Sequence, residues 1–226
     1  MVKNMNEFKK YATKHMGVSG MQFHYWEQYQ NSLTPYILEE RELRATQLDI
    51  FSRLMIDRII HLYGTVNDNM MSITQAQLLF LDNLECSDIK LHISSPGGSV
   101  LSGLGIVDVM NYISSDVVTV NMGLAASMGS ILLSSGAKGK RSSLKHSRVM
   151  IHQVSSSAQG VISDMQISFK ETEKYNDVLF EILAENTDKT KEQILIDANR
   201  DFWLSSEEAI EYGVIDEIIT KKVKKS

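Results

Sequence analysis

The sequence has little of several features that define other classes of protein. Among its 226 residues there is one cysteine, Cys86. A lone cysteine cannot form an internal disulfide and favours a reducing compartment, so we predict a cytoplasmic protein. No apolar run approaches the roughly 18 residues of a membrane helix, so no membrane association is expected. The net charge is −5; without a basic excess, nucleic acid is not expected as a partner.

A nucleotide-binding loop is missing as well. The segment 136–143 contains the glycines, Lys140 and the serines of a phosphate-binding loop, but Ser134 stands where the first glycine of that motif must lie. We therefore expect this chain to hydrolyse no ATP. Its motifs also indicate no other cofactor and no metal.

The middle of the sequence alternates short apolar runs with helical patterns. A chain of this length with 43% hydrophobic residues can form one large domain. The alternation predicts an α/β fold of stacked parallel strands with helices outside them. The predicted elements are a strand Ile89–Ile93, a helix Val100–Tyr112, a strand Val117–Met122, a helix Ser127–Ser135 and a strand Val149–Gln153.

Helical patterns also flank this middle part. The predicted helices run from Ile50 towards Ile60, from a cap at Asp68 to about Leu84, from Ile162 to Glu185, and onward from Thr190 and from Ser205. Thr190 and Ser205 each precede a Gln or Glu by three residues, which is the spacing of a capping box. Gly213 can end the last helix, because glycine tolerates the left-handed conformation of a C-cap.

We divide the chain into three parts. Residues 1–34 are predicted to be an N-terminal extension that is processed or flexible, because an amphipathic pattern precedes a Gly/Ser break. That extension lacks arginine, which disfavours a mitochondrial transit peptide. Residues 35–220 form the main domain, and residues 221–226 are a basic tail.

Ser127 is the first candidate for a functional residue. It lies between Gly123 and Gly129, where a predicted strand passes into a predicted helix. Unpaired backbone N–H groups and the positive end of the helix dipole favour a developing anion there, so a nucleophile would be well placed. An ordinary helix cap is the alternative for a serine in such a turn.

His152 and Asp201 supply the other groups that a nucleophilic serine needs. His152 ends an apolar strand and Asp201 follows a predicted helix. A serine hydroxyl needs an imidazole to take its proton, and that imidazole needs a carboxylate to fix its tautomer. The chain order Ser, His, Asp differs from the Ser, Asp, His order of α/β-hydrolases, and the turn at Ser127 lacks their G-x-S-x-G pattern, so a standard nucleophile elbow is disfavoured.

Together these residues resemble the ClpP family, the proteolytic subunits of Clp proteases. The resemblance runs from about Pro35 to Ile219, and the spacing of its motifs matches the family without a gap. The matching motifs are Ser95–Gly98, Gly123–Gly129, Met150–Gln153, Arg200–Asp201 and the segment Leu204–Asp216. The resemblance implies that Ser127 is the nucleophile, His152 the general base and Asp201 the orienting acid.

The same resemblance assigns an oxyanion hole to the backbone N–H groups of Gly98 and Met128. The residues fit this assignment. The pair Gly97-Gly98 permits positive φ and close approach of a substrate, while Met128 lies in the first helical turn, where its N–H has no intrahelical partner. In isolation, Pro-Gly-Gly would be interpreted as a plain loop.

Fold, assembly and partners also follow from the resemblance. It implies a crotonase-like fold of repeated ββα units, in which the helix Ile162–Glu185 protrudes as a handle between two stacked seven-membered rings. It implies an ATP-driven AAA+ unfoldase of the ClpX or ClpA kind on another chain, which would feed unfolded polypeptides to the peptidase. Unaided cleavage would then be limited to short peptides and unstructured chains.

Several positions depart from the family pattern. Lys90, His92 and Ser142 replace aromatic residues of the cleft that receives the unfoldase. Elsewhere, Val154 replaces a proline and Asn199 replaces an acidic residue. The expected docking surface keeps the apolar residues Tyr112, Val120, Met122 and Leu144. We therefore hypothesise a divergent subunit that engages a different ATPase or works in mixed rings with a second ClpP-type subunit.

Three classes of function are compared. A serine endopeptidase requires Ser127, His152 and Asp201 together. A crotonase-type acyl-CoA enzyme shares the fold and a two-amide oxyanion hole, but does not need these three residues at this spacing. A catalytically silent ring subunit is the non-enzyme alternative, although such subunits typically lose members of the triad.

Overall fold

A computed structural model describes residues 36–41 and 44–220, with side chains from Asp49 onward. The predicted N-terminal extension and basic tail lie outside the described residues. The chain divides into two units, Met1–Arg53 and Leu54–Ser226. In the first unit, β1 (Tyr36–Arg41) and β2 (Arg44–Asp49) form an antiparallel hairpin. The Asp49 carboxylate then accepts hydrogen bonds from the backbone N–H groups of Phe51 and Ser52, which open helix α1.

Helix α1 (Ile50–Ile56) is shorter than predicted. The chain turns at Arg58, where φ is +59°, and the apolar run Ile59–Tyr63 forms a strand, β3. The alternating buried and less buried positions of β3 explain this outcome, because a period of two suits a strand with one face in the core.

The second unit is built on a seven-stranded sheet. Five of its strands pair in parallel in the order β3-β4-β5-β6-β9. Strand β7 also pairs in parallel with β5, and β8 pairs antiparallel with β7. The strands after β3 are β4 (Ile89–Ser95), β5 (Val117–Ala126), β6 (Arg141–Leu144), β7 (Arg148–Ile151), β8 (Phe202–Leu204) and β9 (Glu217–Ile219). The predicted α/β fold with parallel strands is confirmed.

Strand β5 changes its partner along its length. Its segment Thr119–Asn121 pairs with β6, whereas Leu124–Ala126 pairs with β7. The buried Asn121 spans the change: its Nδ2 donates to the carbonyl of Arg148 at 3.0 Å and its Oδ1 accepts from the N–H of Gly123 at 3.1 Å. The sheet therefore branches at Asn121, so that β5 and β7 end side by side.

Helices pack against this sheet through fully buried aliphatic side chains. Each such side chain contributes about 1.5–3 kcal/mol relative to an exposed one. No helix among residues 36–41 and 44–220 has the length and apolar character needed to cross a membrane. The helices after α1 are α2 (Asp68–Leu84), α3 (Val100–Tyr112), α4 (Met128–Ser134), α5 (Ile162–Asn186), α6 (Lys191–Asp197) and α7 (Ser206–Tyr212).

The helix ends test the capping predictions. Asp68 is not the cap of α2: Asn67 is, and its side chain accepts from the N–H of Met70 at 3.0 Å. Asp68 is the first residue of the helix, where the positive end of the helix dipole still stabilises its carboxylate.

The other two caps lie where the sequence predicts them. Thr190 caps α6. Ser205 and Glu208 form a complete capping box at α7, and Gly213 ends that helix with φ +89°.

A buried ion pair joins distant elements at the β9 side of the sheet. The Arg141 guanidinium makes two contacts with the Asp216 carboxylate, Nη2 to Oδ1 at 2.7 Å and Nε to Oδ2 at 3.0 Å. Its Nη1 donates to the carbonyls of Ser134 and Asn186, which lie at the ends of α4 and α5. Burial disfavours the Asp216 carboxylate, but hydrogen bonds and charge from Arg141 outweigh it and hold the pKa of Asp216 below its usual value.

We predict that Arg141→Met destabilises the fold by about 3–5 kcal/mol, because it leaves the carboxylate of Asp216 without its partner. Urea unfolding at pH 7 measures this loss. The lowered pKa of Asp216 means that the pair stabilises the fold above about pH 4, the unfolded value, and that this contribution is lost as the pH falls further. The difference in the free energy of unfolding between the wild type and Arg141→Met should therefore be smaller at pH 3 than at pH 7. An equal difference at both pH values would contradict the prediction.

Candidate active site

Ser127 lies at the sharp turn between β5 and α4. Its φ is +53°, and within the described part of the chain only Arg58 shares a positive φ among non-glycine residues. A residue in this region costs about 1–3 kcal/mol, so the surrounding structure must impose it. The Ser127 N–H donates to the carbonyl of Met150 at 2.8 Å, and its own carbonyl accepts from the N–H and hydroxyl of Ser130.

The side chain of Ser127 does not cap the helix that follows it. Its Oγ instead lies 2.8 Å from Nε2 of His152. This geometry argues against the ordinary helix cap that the sequence left open. The strained backbone turns the hydroxyl away from α4 and towards the imidazole.

Asp201 lies on the other side of the imidazole. Its Oδ1 is 3.3 Å from Nδ1 of His152. The side chain of His152 is 24% exposed and that of Asp201 is 62% exposed. In the isolated chain this carboxylate is therefore open to water.

Strand register explains why these three residues meet. Ala126 pairs with Met150 between β5 and β7, and Ile151 pairs with Phe202 between β7 and β8. Ser127 follows the first of these pairs along β5. His152 follows Ile151, and Asp201 precedes Phe202 on the antiparallel strand, so the second pair brings the base and the carboxylate together.

Gly98 and Met128, the predicted oxyanion-hole residues, line the same pocket as Ser127. Gly98 has φ +150°, and no acceptor for its N–H is found among the described residues. Met128 is the first residue of α4, where a backbone N–H has no intrahelical acceptor. A Cβ on Gly98 would lie 2.2 Å from the carbonyl oxygen of Val66, so only glycine fits there. Their role as oxyanion donors stays a prediction.

A pocket opens beside Ser127. Its walls include backbone from the Gly98 and Met128 turns and apolar side chains from three helices. The helical side chains are Val100 of α3, Ile131 of α4 and Leu179, Phe180 and Leu183 of α5. A substrate group next to the scissile bond would therefore meet an apolar surface.

The residues expected to form a docking surface are only partly grouped. Val120 and Met122 lie on β5, and His92 of β4 and Ser142 of β6 are the register partners of Val120. Met122 is 36% exposed, whereas Val120 and Ser142 are buried. Leu144 is half-buried on β6, and Tyr112 is 80% exposed at the end of α3. Val120 thus offers little surface to a partner in this chain.

His92 is the central polar residue of this row. Burial, with smaller effects from His61 and Lys90, lowers its pKa, so its imidazole is neutral at pH 7. The ring lies edge-on to the ring of His61, with centroids 6.4 Å apart. Across residues 36–41 and 44–220, no group of three His, Cys, Asp or Glu side chains could hold a metal ion.

Comparison with known proteins agrees with this architecture. Residues 41–222 match the family model of Clp protease. The chain is 51% identical to the ATP-dependent Clp protease proteolytic subunit of Bacteroides fragilis strain YCH46 over 220 residues, which is 96% of this chain and all of the relative. It is 47% identical to the protein of the same name from Porphyromonas gingivalis strain W83 over 222 residues, 97% of this chain and all of the relative.

An α/β fold with a serine at a strained turn and a histidine within hydrogen-bond distance is an arrangement that serine hydrolases use. The matches make this more specific: the chain belongs to the Clp protease family and is a serine endopeptidase subunit. The sequence did not single out Asn121, the residue at the sheet branch. Its side chain bonds to the backbone of Arg148 and Gly123, and the strand pairing that places those groups beside it is not visible in the sequence.

We predict that Gly97→Ala disables the site. A Cβ there would lie 2.6 Å from Cβ of Ser127 and 2.9 Å from N of Met128, so the turn that carries Ser127 must shift. A shift of about 1 Å costs on the order of 100-fold in rate. Hydrolysis of a fluorogenic peptide measures the effect.

Gly139→Ala is the matched control. Gly139 has a similar φ of +84°, but a Cβ there would meet no atom within 4 Å. It carries the same backbone strain without the contact, so it should keep wild-type activity. Equal losses in the two variants would contradict the steric explanation.

Proposed function

We propose that Ser127, His152 and Asp201 are the nucleophile, general base and orienting acid of this endopeptidase. The 2.8 Å contact between Ser127 Oγ and His152 Nε2 carries the proposal. It is a contact that a structural serine at a helix start does not need. The near alignment of Asp201 with Nδ1 supports it, because a carboxylate there holds the tautomer whose Nε2 is free to accept a proton.

The mechanism follows from these positions. His152 Nε2 takes the proton of Ser127 Oγ, and the oxygen attacks the carbonyl carbon of the scissile peptide bond. The developing oxyanion accepts hydrogen bonds from the N–H groups of Gly98 and Met128. His152 then gives its proton to the leaving amine, which leaves an acyl group on Ser127. Water, deprotonated by His152, attacks that ester and releases the second product.

We predict that Ser127→Ala abolishes both peptide hydrolysis and covalent labelling by a fluorophosphonate. Asp201→Asn should lower kcat by about four orders of magnitude, because it favours the wrong tautomer of His152. Mass spectrometry of the labelled protein identifies the modified residue. Ser114→Ala is a suitable control, since this serine is exposed in the connection between α3 and β5 and takes no part in the site. Labelling that persists in Ser127→Ala would overturn the assignment.

We propose further that an ATPase on another chain supplies unfolded polypeptide to this peptidase. The relatives are named as proteolytic subunits of an ATP-dependent protease, which supports a division of labour between two chains. The absence of a phosphate-binding loop from the sequence supports it as well. ATP would thus be used by a AAA+ unfoldase of the ClpX or ClpA kind, and the cytoplasm would be the site of action.

Assembly into two stacked seven-membered rings is part of the same proposal. Exposed apolar side chains on α5, among them Ile162, Ile167 and Phe169, favour its use as a contact between rings. The altered polar residues Lys90, His92 and Ser142 support the alternative of a different ATPase or a mixed ring. The exposed apolar side chains that remain for docking are those of Tyr112 and Met122.

Native mass spectrometry of the chain alone and with candidate partners tests this assembly. If the subunit is divergent, the chain expressed alone should not form a stable homotetradecamer that an ordinary ClpX stimulates, because polar side chains have replaced aromatic ones at the expected docking surface. Full rings should then require a second subunit type, or stimulation should require a different ATPase. Casein degradation with ATP measures the stimulation. A stable homotetradecamer with full stimulation would contradict the divergent-partner hypothesis, but would leave the proposed triad intact.

A further inference from the structure

The segment that carries His152 leaves the sheet immediately after β7. Strand β7 ends at Ile151, so the imidazole is borne by a stretch without ladder hydrogen bonds. The backbone N–H of Gln153 donates to the carbonyl of Ala198 at 2.9 Å, and the side-chain amide of Gln153 donates to the carbonyl of Asn199 at 3.1 Å. These bonds fix the segment from the side of the loop that precedes Asp201.

A different contact fixes the segment from the opposite side. The backbone N–H of Val154 donates to Oδ1 of Asn176 on α5 at 2.9 Å. This is a bond between a side chain in the middle of a long helix and a backbone group two residues after the base. A proline at position 154, as the family pattern has, could not form it, because proline has no N–H.

Asn176 is well anchored for this task. It lies three and four residues before Leu179 and Phe180, which are buried in the core, so all three occupy one face of α5. Leu179 and Phe180 also line the pocket beside Ser127, as does Val154. The helix thus forms a wall of the substrate pocket and, through one amide, holds the segment of the base.

We propose that Asn176 is a positioning residue for His152. By accepting the N–H of Val154, its side chain holds the segment after β7 so that Nε2 of His152 stays within hydrogen-bond distance of Ser127 Oγ. This proposal rests on the role proposed above for His152. Asn176 touches no reacting atom in this arrangement, and its effect is transmitted through the backbone of residues 152–154.

Asn176→Ala tests the proposal, with Asn176→Asp as the conservative variant that keeps an acceptor oxygen. Losing one such hydrogen bond should lower kcat about fivefold to tenfold while KM changes less than about twofold, because pocket contacts remain. The rate of fluorophosphonate labelling should fall by the same factor. Asn176→Asp should retain most of the rate. Glu173→Ala, an exposed polar residue one turn earlier on α5, should keep wild-type values.

Val154→Pro provides the second arm, since it removes the donor instead of the acceptor. The fall in kcat should match that of Asn176→Ala, and kcat of the double variant should be no lower than that of either single variant. If Val154→Pro does not fold, as circular dichroism would show, the comparison of Asn176→Ala with Asn176→Asp decides. Full activity of Asn176→Ala, or equal losses in the Ala and Asp variants, would overturn the proposal.

His152→Ala separates this proposal from the one on which it rests. If His152→Ala keeps wild-type activity, the proposed function fails whatever Asn176 does. If His152→Ala is inactive while Asn176→Ala is fully active, only the positioning role fails.

Discussion

The change of partner along β5 is the constraint on which the active site depends. One strand pairs first with β6 and then with β7, and the buried amide of Asn121 satisfies the backbone groups where the two pairings part. The Ser147 hydroxyl, which donates to the carbonyl of Asn121 at 3.1 Å, adds a further bond at this point. Without this branch, β7 would have no place beside the end of β5, and His152 would not reach Ser127.

The site is held by backbone geometry more than by buried charge. Ser127 is fixed by the bond from its N–H to Met150 and by its strained φ, whereas Asp201 is mostly exposed. Water weakens the attraction between an exposed carboxylate and an imidazole, so charge alone would not hold the pair in line. The pairing of β7 with β8 sets that alignment instead.

The sequence predicts structure and site most closely where chemistry and local pattern coincide. The helix Val100–Tyr112 has the predicted bounds, because its apolar spacing and its serine cap are both local signals. The residues Ser127, His152 and Asp201 were found through motif spacing, and the structure brings their side chains together.

The sequence failed where structure depends on distant partners. Strands β6, β8 and β9 are only three or four residues long, too short for a period of two to be visible. Strand β5 extends four residues beyond its predicted end at Met122, because Leu124–Ala126 pair with β7, a distant partner that the sequence does not reveal. The cap of α2 is Asn67 and not the predicted Asp68. Both residue types suit a cap, and only the backbone geometry decides which of the two occupies it.

Helix α5 is anchored mainly at its C-terminal end. Its 25 residues span about 37 Å, yet its buried side chains, Leu179, Phe180 and Leu183, all lie in its last third. Arg141 donates a hydrogen bond to the carbonyl of the last residue of α5, Asn186. The C-terminal end of α5 is therefore held against the core, while the residues before Leu179 are mostly exposed. Asn176 lies one turn before Leu179, where the buried part of the helix begins. A force on the exposed part of α5 would therefore rotate the helix slightly near Asn176. A displacement of a fraction of an ångström there would move the backbone segment that carries His152.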